Sequence, residues 1–368
     1  MEHRPRSYDL VFKLFMRMLI GLCLALTVTL SAAQGGKNAK RSDPSPKQGI
    51  KTPGVQIPIA NLKAEVELPL APQWIIFSDT ILIPNKSGGL ERLDAKTNKL
   101  VEPVTGVPKL CGGAAGGFAS LWIPDCAEHA LMRLDAKIGA DLKAQPKAKP
   151  GAEEKPAKLA ESVKIDSGVS SALPAVAANP DSVWILSDDR TTLSRIDPDQ
   201  NKVVSELRLP ADCNSLTFGE TALWVTCPAE NRVLRINPQT TLVEKRIDVS
   251  AQPSALAIGE SSVWVLCLKD GKVERIDPKT NKSTKTIETG VSNSTNGGIA
   301  IGQGSIWVTL PGFPITRIDP VSEKVVQQFW GAGGGAIQFG QGSVWLTNLQ
   351  AGTLWRIDPK RIAATLAE

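Results

Sequence analysis

From Ala64 onward, short runs of alternating bulky apolar and small or polar residues recur, each bounded by turn-forming residues. The clearest run is Gly342-Ser343-Val344-Trp345-Leu346-Thr347, followed by a polar stretch from Asn348 to Gly352 and then Thr353-Leu354-Trp355-Arg356-Ile357-Asp358-Pro359. Period-two alternation on both sides of a polar segment predicts a β-hairpin, and Gly352 supplies a position where positive φ is unhindered. The Asp-Pro that ends it predicts a second turn, because the aspartate caps its own backbone and proline presets φ. The same hairpin recurs around Trp184, Trp224, Trp264 and Trp307, ending at Asp197-Pro198, Asn237-Pro238, Asp277-Pro278 and Asp319-Pro320. Two degenerate copies precede these, Leu121-Trp122-Ile123 to Asp135 and Ile81-Leu82-Ile83 to Asp94, which makes seven.

Between Trp184, Trp224, Trp264, Trp307 and Trp345 the steps are 40, 40, 43 and 38 residues. That period is too long for leucine-rich repeats, too rich in strand formers for helical ones, and suits a four-stranded propeller blade. The predicted fold is all-β: a seven-bladed β-propeller over residues 64–368. Within a blade the pattern gives an inner strand, a turn, a second strand with the tryptophan, a hairpin loop, a third strand with Arg-Ile-Asp, a turn and an outer strand. Ala64 to Leu70 alternates like an outer strand but stands first, whereas the last blade ends after its third strand; ring closure predicts that Ala64 to Leu70 completes the last blade. The small-residue runs Gly112 to Gly117, Asn296 to Ala300 and Gly333 to Ile337 are expected at inner strands, where crowding around the axis excludes large side chains. Trp and Arg stand 11 residues apart in most copies, so Trp264 should face Arg275 across the hairpin with the guanidinium over the indole, a structural pair. The competing reading, a ring of arginines binding an anion, is disfavoured because the third strand lies far from the axis.

Charge adds little to this picture until it is divided along the chain. Residues 1–33 carry scattered basic residues, an apolar run from Met18 to Leu30 and Ser31-Ala32-Ala33, the pattern of a secretory signal peptide too short to span a bilayer. Residues 34–63 are rich in Lys, Pro, Ser and Gly, and are expected to form a disordered linker. The 42 Lys and Arg exceed the 37 Asp and Glu by 5. The leader and linker absorb that excess, so the propeller body is near neutral and no basic, aromatic-bearing stripe for nucleic acid is present. A further run of Lys, Ala, Pro and Glu at 137–161 interrupts the second blade and is expected to be a disordered excursion.

Five cysteines follow the leader, a usage that suits an oxidising compartment. Cys111 and Cys213 each stand at the start of an inner strand and Cys126 and Cys227 at the end of the adjacent second strand, so disulfides Cys111–Cys126 and Cys213–Cys227 are predicted at one end of their blades. Cys267 occupies the place of Cys227 one blade later, but Pro253 stands where its partner should be; it is expected to be a buried free thiol.

The repeat Gly-x-Gly-Ser-[Val/Ile]-Trp-[Val/Leu]-Thr followed by Arg-Ile-Asp-Pro resembles the propellers of the virginiamycin B lyase (streptogramin lyase) family and the wider YVTN-type bacterial propellers, over about Ala64 to Pro359. The resemblance implies a bacterial source and a magnesium-dependent elimination in which a histidine general base opens a cyclic depsipeptide. Of the two histidines, His3 leaves with the leader and His129 lies in a hairpin loop beside Glu128, matching no catalytic motif of that family. No catalytic residue is carried over, and no nucleophile elbow, phosphate loop or Cys/His constellation is present.

What remains is a periplasmic or secreted monomer that binds a small molecule, a peptide or a partner protein at the mouth of the channel. The candidate binding residues there are Asn85, Asp125, Asn214, Asn296 and Asn348. No cofactor is expected beyond a divalent cation, magnesium or calcium, for which Asn85, Asp125 or Asn348 could supply oxygen ligands. The alternatives are a metal-dependent lyase or lactonase and an interaction module of a cell-envelope assembly. No membrane span is expected once the leader is removed.

Overall fold

The computed structural model describes residues 46–77, 80–85, 88–104, 107, 111–135, 160–164, 169, 175–188 and 190–366. The predicted leader, the first twelve residues of the predicted linker (34–45) and nearly all of the predicted excursion at 137–161 lie outside them. Seven sheets form a ring of blades, each with the sequential inner-to-outer strand order that the repeat predicts. Blade 5 is representative: Pro253–Gly259, Ser262–Cys267, Lys272–Asp277 and Lys282–Glu288 pair antiparallel in that order. The ring closes as expected. Val66–Leu68 pairs with Thr353–Ile357, placing Val66 opposite Arg356 and Glu67 opposite Trp355.

The repeated residues are used in the same way from blade to blade. Six tryptophans (Trp122, Trp184, Trp224, Trp264, Trp307 and Trp345) are fully buried between blades. In five of them the indole N–H donates to the carbonyl of the residue five positions earlier, Gly117, Gly219, Gly259, Gly302 or Gly340, at 3.0 to 3.2 Å. An indole buried this way keeps its one polar group satisfied. The register sets Trp264 opposite Arg275, as its spacing predicts, and guanidinium carbons lie 4.9 to 5.7 Å from the indole centroids in blades 2 to 5 and 7. Except in blade 4, where Ala222 takes the place of the serine, the Nε of the Trp-paired arginine donates to the serine two residues before the tryptophan, as in Arg275 to Ser262 at 2.9 Å and Arg356 to Ser343 at 2.9 Å.

In blades 2 to 5 and 7 the far end of the guanidinium leaves its own blade, whereas Arg317 turns to Gln327 of its own outer strand at 3.0 Å. Arg133 reaches the carbonyl of Pro198, Arg195 that of Gln239 at 3.1 Å, Arg235 that of Pro278 at 2.9 Å and Arg356 that of Ala95 at 2.7 Å. Arg275 instead pairs with Glu323 at 2.8 Å. Each target lies in the turn between the third and outer strands of the next blade. The arginines are therefore consumed in stapling neighbours together. The Asp-Pro turns behave as the sequence predicts: Asp277 accepts from the backbone N–H groups of Lys279 and Thr280, and Asp94, Asp197 and Asp319 do the same at their own turns. These backbone hydrogen bonds hold all four carboxyls below the usual aspartate value of 3.8.

Two expectations are corrected. Residues 46–63, expected as part of a disordered linker, are ordered and strap blades 5, 6 and 7. Gly49 donates to the carbonyl of Gly290 at 2.7 Å, where a Cβ on Gly290 would come within 2.5 Å of the Gly49 backbone. Ile50 N–H donates to the buried Gln328 side chain, and Gln56–Pro58 adds a fifth, parallel strand outside Lys324–Trp330. The reason lies in the strand being covered. Outer strands in blades 3 to 5 carry charges along their length, which discourages pairing; that of blade 6 runs Val325-Val326-Gln327-Gln328-Phe329-Trp330 and needs a cover. Ile57 and Leu62 supply the apolar contacts. The second correction concerns the glycine runs. The inner strands of blades 2, 6 and 7 are Ala115–Gly117, Gly298–Gly302 and Ile337–Gly340, each beginning later than its run. Gly333 and Gly334 sit in a crossing loop at φ 124° and 108°, so backbone conformation, not crowding at the axis, accounts for them.

Candidate functional site

The ends of each blade are chemically different. One end carries the turns closed by Asp or Asn. The other carries the hairpin loops between second and third strands, together with the connections from each outer strand to the next inner strand. Both disulfides lie on this second face. Cys111–Cys126 and Cys213–Cys227 form with Cα separations of 6.0 and 4.0 Å, each tying the approach to an inner strand to the end of the second strand. Cys267 is a buried free thiol opposite Pro253, and burial pushes its pKa up, away from thiolate character.

Surface ion pairs lace the same face over blades 3 and 4. Arg208 meets Asp188 at 2.6 Å, Arg190 meets Asp212 at 3.3 Å and Arg232 meets Asp248 at 2.8 Å. The Arg208 hydrogen bond holds the Asp188 carboxyl below its ordinary value. These pairs are exposed, so they order the loops more than they stabilise the fold.

The five predicted binding residues fall on this face or at its rim, and most of them are occupied locally. Asp125 is 4 % exposed and accepts from the Ala127 and Glu128 N–H groups at 3.0 and 3.3 Å. Asn348 accepts from Gln350 and Ala351, and Asn214 accepts from the Thr226 hydroxyl at 2.6 Å. These three side chains build turns and strand ends. Asn296 is exposed, as is His129 in the blade 2 hairpin at φ 51°. Among the described residues no three of His, Cys, Asp and Glu are placed to hold a metal.

Asn85 lines a cleft. It lies at the seam where blade 7 meets blade 1, has a volume of about 240 Å³, and is walled by Pro69, Leu70, Ala71, Pro84 and Gly352 with Glu91 inside it. The Asn85 Nδ2 donates to Glu91 Oε1 at 3.0 Å. Sequence reasoning missed Glu91, which belongs to the 84–91 hairpin, and the 69–71 wall; ring closure adds Gly352 of blade 7 to them. The chain did carry one signal. Leu90-Glu91-Arg92-Leu93-Asp94 matches Val273-Glu274-Arg275-Ile276-Asp277, the only other copy with a carboxylate before its arginine.

Two disulfides fit an oxidising compartment. Among the described residues no helix is long and apolar enough to cross a membrane. No family model matches the chain, and no curated protein matches it. Among solved structures it is similar to BBS1N, in a crystal of BBS1N in complex with ARL6DN that was soaked with mercury: the TM-score is 0.59 at 10 % identity, over 82 % of this chain and 98 % of that one. At that identity the likeness is one of fold, and it establishes the chain as a seven-bladed β-propeller.

Proposed function

We propose that this chain is an extracytoplasmic binding propeller that docks a partner protein or peptide on the hairpin-loop face around the channel mouth. The observation that carries the reading is the confinement of both disulfides to that face, where they pin loops that a partner would otherwise have to order. The opposite face is a series of short turns whose side chains are committed to their own backbone. The similar BBS1N propeller is itself described in complex with another protein, which agrees with a docking role. A photo-crosslinking residue placed at the exposed Glu128 or Asn296 should capture the partner, and one at Val321, 91 % exposed in an opposite-face turn, should not. Equal capture from Val321 would refute the assignment of the face.

A metal-dependent lyase or lactonase is the second reading, favoured by the likeness of the Gly-Ser-Val-Trp and Arg-Ile-Asp-Pro phrases to streptogramin lyases. Turnover of a cyclic depsipeptide that is abolished by a chelator would establish it over simple binding. Service as a module of an envelope assembly is a special case of the docking reading, with the leader-proximal residues as tether.

A further inference from the structure

We infer that the cleft at the seam of blades 7 and 1 receives a primary ammonium group from the bound partner, with Glu91 as its counter-ion. This inference rests on the docking reading above. Two repeats of the same molecule treat this carboxylate differently. Glu274 and Glu91 occupy one position in blades 5 and 1, immediately before the arginine of the third strand. In blade 5 the carboxylate is 4 % exposed, and Ser250, Ser283 and Thr286 all donate hydroxyl protons to it, with the Ser250 N–H adding a fourth hydrogen bond at 3.3 Å. That site is closed and satisfied.

Blade 1 replaces each of those three hydroxyl side chains with one that cannot donate. Ser250 follows the buried Ile247 of the preceding outer strand by three positions, as Ala71 follows the buried Leu68. Ser283 pairs with Ile276, and Leu100 pairs with the equivalent Leu93. Thr286 precedes Ile287, the partner of Val273, as Pro103 precedes Val104, the partner of Leu90. With the hydroxyls gone, the carboxylate lies on the cleft that Ala71 lines. Among the described residues Glu91 has Asn85 as its hydrogen-bond partner and carries no ion pair, whereas Asp188, Asp212 and Asp248 on the loop face of blades 3 and 4 each meet an arginine. A carboxylate set in a half-buried cleft is stabilised by a cation that brings its own protons.

The shape of the site narrows the cation. Asn85 occupies Glu91 Oε1, which leaves Oε2 for one further donor and disfavours the two-pronged approach of a guanidinium. Pro69, Leu70 and Pro84 wall the approach with apolar surface, which suits an aliphatic stem carrying a single charged tip. A lysine side chain and the amino terminus of a chain share that chemistry.

The test uses the full chain and amide resonances of Asn85, Glu91 and Gly352. Nα-acetyl-lysine methylamide should shift them, its Nζ-acetylated form should not, and alanine methylamide with a free amino group shows whether a chain terminus serves as well. Glu91→Gln keeps the acceptor for Asn85 and should weaken binding about tenfold, the loss of one charge-assisted hydrogen bond. Ala71→Ser, which restores the hydroxyl found in blade 5, should weaken it too. Binding that survives Nζ-acetylation or Glu91→Gln, or no shift with either amine, would overturn the inference. If capture from Glu128 and Asn296 persists while the amines fail, the cleft is wrong and the docking face stands; loss of that capture sinks the face itself.

Discussion

Truncating Ile57 separates the ordered strap from a passive linker more cleanly than any other change. Ile57 is fully buried against blade 6, opposite Phe329 and within the cluster that includes Ile315, Ile337 and Ile362. Ile57→Ala removes three carbons; at about 0.8 kcal/mol per buried methylene the transfer part is roughly 2.4 kcal/mol. The cavity left behind brings the expectation for a residue that cannot relax to about 2 to 5 kcal/mol. A ceiling applies, because residues 46–63 can detach as a unit once their docking energy is exceeded. Ile57→Asp, which places a charge in the same pocket, should therefore cost no more than the docking energy of the whole strap. Denaturant unfolding followed by tryptophan fluorescence gives the cost, and hydrogen exchange at Phe329 and Gln328 reports strap release directly. If both variants unfold within about 0.5 kcal/mol of the parent, which is the ordinary range for a surface change, the strap contributes nothing and the explanation offered for the apolar outer strand of blade 6 fails.

Other expectations follow from the repeated contacts. Arg356→Lys keeps the charge but loses the hydrogen bonds to Ala95 and Ser343 and the stacking on Trp345, and should lower stability by about 1 to 3 kcal/mol in the same unfolding assay. The carboxyls of Asp94, Asp197, Asp277 and Asp319 sit below their unfolded value, so their contribution is complete above the ordinary 3.8 and fades as pH falls through and below it. Blade 4 already has Asn237 at this position, accepting the same two backbone N–H groups; Asp277→Asn should flatten the acid limb of a thermal-melt series and leave the melt at pH 7 nearly unchanged. The peptide containing Cys267 should stay unlabelled by iodoacetamide in the native protein and react after unfolding, as read by mass spectrometry.

How much of this was legible in the chain depended on whether a feature repeats. The Trp-to-Arg register, the closing strand at Val66 and both disulfide pairs follow from a period near 40 residues, because each copy confirms the phase of the next. The strap did not repeat. Gln56–Pro58 is three residues long, buries one side chain and is held by backbone hydrogen bonds, which composition does not reveal; the clue lay elsewhere, in the uncharged Val325 to Trp330 that it covers. Asparagines were legible as loop residues but not as occupied ones, since Asn214 and Asn348 are spent on Thr226 and on their own turn. Glu91 was hidden for a third reason. Its surroundings include residues 69–71 and 352, and the closed ring brings Gly352 of blade 7 beside the hairpin of blade 1.

The strap and the closing strand together fix an order of events during synthesis. Ile50 bonds to Gln328, 278 positions downstream, and Val66 finds its place only beside Arg356. Every intermediate blade can therefore fold on emerging, while residues 46–68 stay without a mate until the final two modules are made. Contacts of such sequence separation slow folding. Moving residues 46–70 to the far end of the gene would turn those distant pairings into neighbouring ones, and the rearranged chain should reach the same ring sooner.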